Sequence, residues 1–272
     1  MPDALIDGRA ASSIPINDRG LLYGDHLFET IAFHGDSAPL WPHHMARLQR
    51  DGARLGIPVP APGLLLGDCR RLLAGVARAV VRITITRGSG GRAYQPPDRP
   101  VARRIVQRRA WPQGLARQRR DGLRVVTSPI PLARNPALAG IKHGNRLEQV
   151  LAARACAAEG ADEALLFTAD GSLIEAIASN VVVVAGQHML TPDCSVAGVA
   201  GVGLAWLRAQ PAVDIVSASL GRDELVAADE ILMVNSVAGI RPVSRLDDRR
   251  LKIGPVARHL QHLWHEQLEC IE

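Results

Sequence analysis

The chain has 272 residues, of which 47% are hydrophobic and 22% charged, and its formal net charge is +5. This composition excludes a disordered chain, and the length allows one large or two modest domains. No uncharged apolar stretch reaches the ~18 residues that a membrane helix needs. Because no basic segment followed by an apolar run opens the chain, we expect a cytoplasmic protein that does not bind a membrane.

The cysteines predict neither a disulfide scaffold nor a metal site. Cys69, Cys156, Cys194 and Cys270 are far apart and match neither a CxxC pair nor a zinc-ligand spacing. We therefore expect reduced thiols and no metal.

The positive charge is spread along the chain. Its densest cluster is RRIVQRRAWPQGLARQRR, residues 103–120. We interpret this cluster as a solvated strand edge and a linker and expect no nucleic-acid partner, although a basic binding module is the non-enzymatic alternative.

Strands and helices alternate in the first part of the chain. The predicted elements are a hairpin over 26–41 that turns at residues 34–36, a helix from Pro42 to about Ile57, a helix over 63–79, a strand over 80–88 that alternates with a two-residue period, a glycine-rich loop after it, and a strand over 102–110.

The stretch WPQGLARQRRD has no clear periodicity and predicts a linker. We expect an N-terminal α/β domain over 1–111, a linker over 112–121 and a β-rich C-terminal α/β domain over 122–272. The elements predicted in the second domain are strands over 123–130, 213–216 and 230–234, helices over 144–159, 199–208 and 256–268, and β-turns at Asp170-Gly171 and Gly186. The predicted fold class is mixed α/β.

Lysine is rare in this chain, since only Lys142 and Lys252 are lysines among 32 lysines and arginines. Only lysine has an amine that can lose its proton and attack a carbonyl carbon. Lys142 follows an apolar run and precedes a predicted helix, where desolvation and the positive end of the helix would favour the reactive neutral amine. Composition alone favours chance placement, so the neighbouring motifs have to decide.

Several motifs occur in an order typical of one enzyme family. They are DRGLLYGDHLFET, HHMARLQ, ITRGSGGRAY, LARNPALAGIKHGNRLEQVLAARAC, SLIEAIASNVVVV and MVNSVAGIRPV. Together they resemble the aminodeoxychorismate lyases, a family of fold-type IV pyridoxal 5′-phosphate enzymes that also include D-amino-acid and branched-chain aminotransferases. The resemblance implies a two-domain fold, pyridoxal 5′-phosphate as cofactor, a homodimer, and conversion of 4-amino-4-deoxychorismate to 4-aminobenzoate and pyruvate in folate biosynthesis.

The resemblance also implies roles for individual residues. Lys142 would hold the cofactor as a Schiff base and carry a proton, and Thr30 would deliver a proton to the leaving pyruvyl group. The expected cofactor-binding residues are Lys142 itself, Arg47 for the phosphate, Glu175 for the pyridine nitrogen, Ser179 and Asn180 beside the ring, and Val202, Gly203 and Ser236 in two phosphate-binding loops. The expected substrate-binding residues are Arg92, Tyr94 and His26.

Structural roles for several of these residues stay open at this point. Thr30 could simply pack in a strand, Ser179 and Asn180 could form a strand-end turn, and the loop of Arg92 and Tyr94 could be a flexible surface segment. Gly203 and Leu204 stand where the family usually has a larger residue followed by arginine, and His26 stands where it often has glycine. An aminotransferase of D- or branched-chain amino acids is the alternative activity on the same scaffold.

Overall fold

The computed structural model of the chain describes residues 3–269, so Cys270 lies outside the described residues. The contacts divide the chain into two compact units: residues 1–111 with 142–145 form the first, and 112–141 with 146–272 form the second. The short segment 142–145 therefore belongs to the first unit although the chain on both sides of it belongs to the second.

The first unit is an antiparallel sheet with helices. Its elements are β1 (Ala4–Ile6), β2 (Arg9–Ala10), α1 (Arg19–Tyr23), β3 (His26–His34), α2 (Trp41–Leu55), α3 (Pro62–Leu73), β4 (Arg78–Thr86) and β5 (Arg103–Arg109), and the strand order is β2-β1-β5-β4-β3. In β3 every second side chain is buried, which gives the strand one face toward the core and one face that is half-buried.

Of the hairpin predicted over 26–41, only the turn at residues 34–36 forms, closed by an isolated antiparallel bridge between His34 and Ser37. The chain does turn there, but β3 pairs with β4 along its whole length, from His26 opposite Thr86 to His34 opposite Arg78. The apolar residues after the turn instead lead into α2, where Pro42 occupies the first helical turn. Proline suits that position because the first N–H groups of a helix have no intrahelical acceptor.

The second unit is built on a mixed sheet. Its elements are α4 (Leu115–Asp121), β6 (Leu123–Thr127), α5 (Leu147–Ala158), β7 (Glu163–Phe167), β8 (Leu173–Ala176), β9 (Asn180–Ala185), β10 (His188–Pro192), α6 (Val202–Arg208), β11 (Ile215–Ala218), α7 (Arg222–Ala227), β12 (Glu230–Asn235), β13 (Gly239–Leu246), β14 (Arg249–Arg250), α8 (Pro255–Trp264) and a π-helical turn over His265–Glu269. The strand order is β11-β10-β9-β12-β13-β6-β7-β8, with β14 paired to β13. Apolar side chains from β6, β7, β9, β12 and β13 form its core.

The segment expected as a linker differs from that expectation. Residues 115–121 form α4, which lies in the second unit and packs on β13. All of its residues are at least partly exposed, so the sequence carries little apolar periodicity by which to recognise a helix.

The basic cluster of residues 103–120 is not simply solvated. In β5, Arg103 pairs with Asp18 at 3.1 Å and Arg104 pairs with Asp68 at 2.7 Å. These arginines therefore hold β5 to neighbouring elements of the first unit.

None of the helices over residues 3–269 combines the length and the hydropathy that a membrane span requires.

Candidate functional site

Lys142 is fixed through its main chain within the first unit. Its N–H donates to Oδ2 of the buried Asp51 at 3.2 Å, and its carbonyl accepts from the N–H of Phe28 at 3.1 Å. Two residues further on, Gly144 donates to the carbonyl of His26 at 2.9 Å. The lysine is thus held between β3 and α2, so its position in the first unit is well defined.

The Lys142 side chain lies along the half-buried face of β3. Its Nζ is 4.5 Å from the ring centroid of Phe28. Thr30 follows Phe28 on the same face of the strand, because successive side chains on one face are two residues apart. The amine and the hydroxyl that were predicted to move protons therefore both lie along one face of β3.

Arg82 shares the Phe28 ring with Lys142, and sequence reasoning missed it. Arg82 is opposite Thr30 in the register of β3 and β4, and its Cζ is 3.8 Å from the ring centroid of Phe28. Burial, with a smaller contribution from Arg109, lowers the pKa of Arg82 from 12.5 to about 10. No carboxylate among residues 3–269 forms an ion pair with Arg82. A partly buried guanidinium of this kind is suited to a carboxylate of a ligand.

His26 begins the same face of β3. Its Nδ1 lies 3.3 Å from the carbonyl of Gly20, and a Cβ added to Gly144 would collide with the imidazole ring. Burial lowers the pKa of His26 below 6.5, so the ring is neutral at pH 7. The closeness of Gly144 to this ring explains why only a residue without a side chain fits there.

The opposite face of β3 carries a buried carboxylate that sequence reasoning also missed. Glu29 is 1% exposed and accepts from Nε and Nη2 of Arg47 at 2.8 Å and 2.5 Å, and Nδ1 of His44 lies 2.6 Å from its Oε2. Burial lowers the pKa of His44 and the neighbouring Glu29 carboxylate opposes that shift, while Arg47 brings a permanent positive charge to this group. The signal for Glu29 is its position between Leu27 and Ile31, where the two-residue alternation calls for an apolar side chain.

Glu29 limits what Arg47 can do. A guanidinium has five N–H donors, and Arg47 uses two of its five to bind the Glu29 carboxylate. The remaining donors are oriented by that bidentate pair, which fixes the plane of the guanidinium group.

Arg92 and Tyr94 lie in the glycine-rich loop that follows β4. Both are exposed, Tyr94 at 84%, and the Tyr94 ring is 5.4 Å from the ring of Tyr23. These two side chains project from the surface of the first unit and do not pack into its core.

In the second unit, Glu175 on β8 is buried and its carboxylate is held at both oxygens. Gln149 on α5 donates to Oε1 at 3.2 Å, and the N–H of Val199 donates to Oε2 at 2.8 Å. Asn180 donates from Nδ2 to the carbonyl of Val199 at 2.9 Å. Val199 is therefore held at its N–H by Glu175 and at its carbonyl by Asn180.

Ser179 takes part in a different group. Its hydroxyl donates to Glu163 at 3.2 Å and accepts from Arg241 at 2.9 Å and from Asn235 at 3.3 Å. Burial raises the pKa of Glu163 and lowers that of Arg241, because both would carry charge away from water. The hydrogen bonds of Ser179 thus connect the turn before β9 with Asn235 at the end of β12.

The two loops predicted to bind phosphate meet at Gly203. Val202 and Gly203 form the first turn of α6, and Ser236 lies in the turn after β12. A Cβ at Gly203 would lie 3.1 Å from the carbonyl carbon of Asn235 and 3.3 Å from the nitrogen of Ser236. Glycine at position 203, an apparent departure from the family pattern, is thus the residue that lets the two loops approach.

A family model for the class IV aminotransferases matches residues 26–246, so the chain belongs to this family. This family depends on pyridoxal phosphate, which confirms the cofactor expected from the sequence.

Individual relatives narrow the similarity further. The chain is 29% identical to the aminodeoxychorismate lyase of Vibrio harveyi over 266 residues, which cover 94% of this chain and 97% of that protein. Its structure matches the crystal structure of 4-amino-4-deoxychorismate lyase from Pseudomonas aeruginosa with a TM-score of 0.91 and 35% identity, over 97% of this chain and 98% of the other. These similarities confirm the predicted fold class.

The fold is also shared with a protein described as an aminotransferase. A hypothetical aminotransferase from Mycobacterium tuberculosis, in its pyridoxal-phosphate-bound form, matches with a TM-score of 0.83 and 22% identity, over 95% of this chain and 94% of that one. At this identity the similarity shows the fold alone. This match therefore does not distinguish a lyase from an aminotransferase.

Proposed function

We propose that this protein is a pyridoxal-phosphate-dependent lyase that converts 4-amino-4-deoxychorismate to 4-aminobenzoate and pyruvate. The observation that carries the proposal is the Phe28 ring with Lys142 and Arg82 on it, beside Thr30. It offers an amine for proton transfer next to a cation for a carboxylate, and the substrate is a dicarboxylate whose ring proton must be removed.

The residues of the chain fit the cofactor. In the first unit Lys142 would supply an amine for its aldehyde, and in the second unit Glu175, whose carboxylate accepts from Gln149 and from the N–H of Val199, would supply a carboxylate for its pyridine nitrogen. The absence of a Cβ at Gly203 keeps the backbone of Val202 and Gly203 close to Ser236, so backbone N–H groups of both loops would bind the phosphate together with the Ser236 hydroxyl. Arg47 would add a charged donor.

Asn180 and Ser179 would act on the cofactor less directly. Asn180 holds Val199, the residue that also donates to Glu175, and so supports the position of that carboxylate. Ser179 joins the turn that precedes β9 to Asn235, the neighbour of Ser236. Both would position groups that contact the cofactor.

The proton transfers are assigned to side chains on β3 and beside it. When bound, pyridoxal phosphate supplies a ring that accepts the electron pair of the C–H bond that breaks. The Lys142 amine removes the proton from the ring carbon of the substrate. The C–O bond to the enolpyruvyl group then breaks, and Thr30 helps to deliver a proton to the departing group, which becomes pyruvate. The remaining ring becomes aromatic, which makes the reaction strongly favourable.

The substrate carboxylates would meet cations of the first unit. Arg82, a partly buried cation, would bind one carboxylate. Arg92 and Tyr94 would add further carboxylate contacts from the loop after β4. His26, neutral at pH 7, would shape the entrance without competing for the carboxylates.

A homodimer in the cytoplasm is part of the proposal. Leu21, Leu22 and Tyr23 on α1 are 60%, 52% and 36% exposed, which is unusual for three large apolar residues in a row. Leu147 and Val150 at the start of α5 are 77% and 59% exposed. Apolar surfaces of this kind are typical of subunit interfaces.

The test is the product mixture formed from enzymatically generated 4-amino-4-deoxychorismate. The proposal predicts equal amounts of pyruvate and 4-aminobenzoate. The aminotransferase alternative predicts instead that a D- or branched-chain amino acid with 2-oxoglutarate is transaminated. Cofactor binding without pyruvate release would overturn the proposed activity.

A further inference from the structure

Arg19 is a buried arginine that binds the main chain of the glycine-rich loop after β4. It is 4% exposed, and its Nε donates to Oδ2 of Asp25 at 3.0 Å. Its two terminal nitrogens donate to four carbonyls of the loop, those of Ala93 at 2.9 Å, Tyr94 at 2.9 Å, Gln95 at 3.3 Å and Gly90 at 3.4 Å. One planar guanidinium thus binds four carbonyls of the loop between Gly90 and Gln95.

The loop has little internal support. Gly88, Gly90 and Gly91 have φ values of +84°, +107° and +83°, and Ala93 has a φ of +50°. These conformations are costly for Ala93 and entropically unfavourable for the glycines. Backbone bonds between Arg92 and Gln95 close one turn within the loop. Outside this turn, Ser89 at the start of the loop donates to Asn17 and bridges to Asp18. From Gly90 to Gln95 the hydrogen bonds from side chains outside the loop come from Arg19.

Arg19 is itself anchored to a rigid part of the first unit. Asp25 also accepts from Arg87, at 2.7 Å to Oδ2 and 3.0 Å to Oδ1, and Arg87 donates to the carbonyls of Leu55 and Gly56 at the end of α2. Burial alone would raise the pKa of Asp25, but its bonds to Arg87 and Arg19 outweigh that effect and lower it. The loop is thereby connected to α2 through three side chains.

The side chains of the loop point outward from this support. Arg92 and Tyr94 are exposed, while the carbonyls of Ala93 and Tyr94 point toward Arg19. The guanidinium also lies 4.9 Å from the ring centroid of Tyr23, which is in contact with Tyr94. Holding the carbonyls of the loop therefore also fixes where its two functional candidates project.

We propose that Arg19 is a positioning residue for substrate recognition, which keeps the loop ordered so that Arg92 and Tyr94 are in place before the substrate carboxylates arrive. This inference rests on the proposed function for its kinetic consequence. If the loop were competent only a tenth of the time, the apparent affinity would fall about tenfold, while the chemical step on the bound substrate would not change.

The test uses the holoenzyme with Arg19→Met and Arg19→Lys. For Arg19→Met we expect trypsin to cut after Arg92 about tenfold faster and KM to rise about tenfold, with kcat within about threefold of wild type. Arg19→Lys keeps a charge beside Asp25 but cannot reach four carbonyls. Its cleavage rate and its KM should therefore lie between those of wild type and those of Arg19→Met. Arg71→Met is the matched control, since Arg71 is an exposed arginine that also donates to a carbonyl, that of Gly8, and should change neither readout.

A double-mutant cycle decides whether Arg19 acts through the loop side chains. If it does, Arg19→Lys should raise KM less in an Arg92→Ala background than in wild type. An unchanged cleavage rate, a loss of kcat at constant KM, or fully additive effects would each overturn the proposal. Should Arg19→Met fail to fold, Arg19→Lys gives the same decision. Should wild type release no pyruvate, the proposed function fails and the cleavage rate after Arg92 still tests the positioning role.

Discussion

Glu29 is a buried carboxylate that two side chains of α2 hold in place, and it makes stability depend on pH. Burial alone would raise its pKa, but Arg47 and His44 outweigh burial and hold the value at about 2, below the ordinary 4.5. A pKa lowered in the folded state stabilises the protein above pH 4.5, and this contribution is lost as the pH falls from 4.5 toward 2.

The prediction follows from this shift. Wild type should lose about 3 kcal/mol of unfolding free energy across that window from this group, and Glu29→Gln should lack this component. Urea unfolding at several pH values measures it. Glu266→Gln, an exposed change on the π-helical turn, should keep the wild-type dependence. Parallel pH profiles for Glu29→Gln and wild type would contradict the assignment.

At this scale the sequence identified the residues that belong to long motifs and missed those whose role depends on pairing. Lys142 was found because several motifs surround it. Arg82 was missed because its place beside Phe28 depends on the register of β3 with β4. Glu29 stands out in the sequence as a charged residue at a position of β3 where the alternation predicts an apolar one. Its partners His44 and Arg47 lie one turn apart on α2, and only the packing of strand and helix brings them to it.

At the scale of elements, Gly203 sets the spacing between α6 and the turn after β12. A Cβ there would lie within 3.3 Å of backbone atoms of Asn235 and Ser236, which cannot move as a flexible side chain does. We expect Gly203→Ala to destabilise the protein by about 1–3 kcal/mol and to weaken cofactor binding.

Thermal unfolding and a titration with pyridoxal phosphate measure these two effects. Gly67→Ala on α3 is the control, since a Cβ there meets nothing within 4 Å and alanine favours a helix. Equal stability and equal cofactor affinity in Gly203→Ala and wild type would show that the loops have room to separate.

Glu230 connects the sheet of the second unit with α8. This buried carboxylate at the start of β12 accepts from the N–H groups of Val256 and Ala257, at 3.0 Å and 2.9 Å, in the first turn of the helix. A negative charge at a helix N-terminus satisfies free donors and opposes the helix dipole.

We expect Glu230→Gln to lower the free energy of unfolding by about 1–2 kcal/mol, because one charge-assisted acceptor is lost while the shape is kept. Asp229→Asn is an exposed neighbour and should change it by less than about 0.5 kcal/mol. Urea unfolding at pH 7 compares the two, and equal effects would remove the special role of Glu230.

Six elements of the second unit were predicted close to their observed bounds, since apolar periodicity and glycine-marked turns are local signals: β6, α5, α6, β11, β12 and α8. No bounds were predicted for α7, β13 or β14. The missing second strand of the hairpin predicted over 26–41 has a non-local cause. β3 pairs with β4, more than forty residues later in the chain, and a turn by itself does not reveal which strand is the partner. The short helix α4 escaped notice because none of its residues is buried.

For the whole molecule, the exposed apolar residues of α1 predict a homodimer. Replacing Leu21 and Leu22 by glutamate should convert the dimer to a monomer, because charged side chains would be buried in the interface. Sedimentation velocity measures the change. Val226→Glu changes an isolated residue on α7 that is 71% exposed and should leave the dimer intact. A wild-type monomer, or a dimer that survives the double change, would contradict the predicted interface.

The central claim is that Lys142 performs the proton transfer of a lyase. It is tested most directly by measuring pyruvate and 4-aminobenzoate released from 4-amino-4-deoxychorismate by wild type, Lys142→Ala and Lys252→Arg. Wild type and Lys252→Arg should release equimolar products, since Lys252 is exposed and outside the site motifs. Lys142→Ala should release none. Product release by Lys142→Ala at the wild-type rate, or loss of release in Lys252→Arg, would show that Lys142 does not have this role.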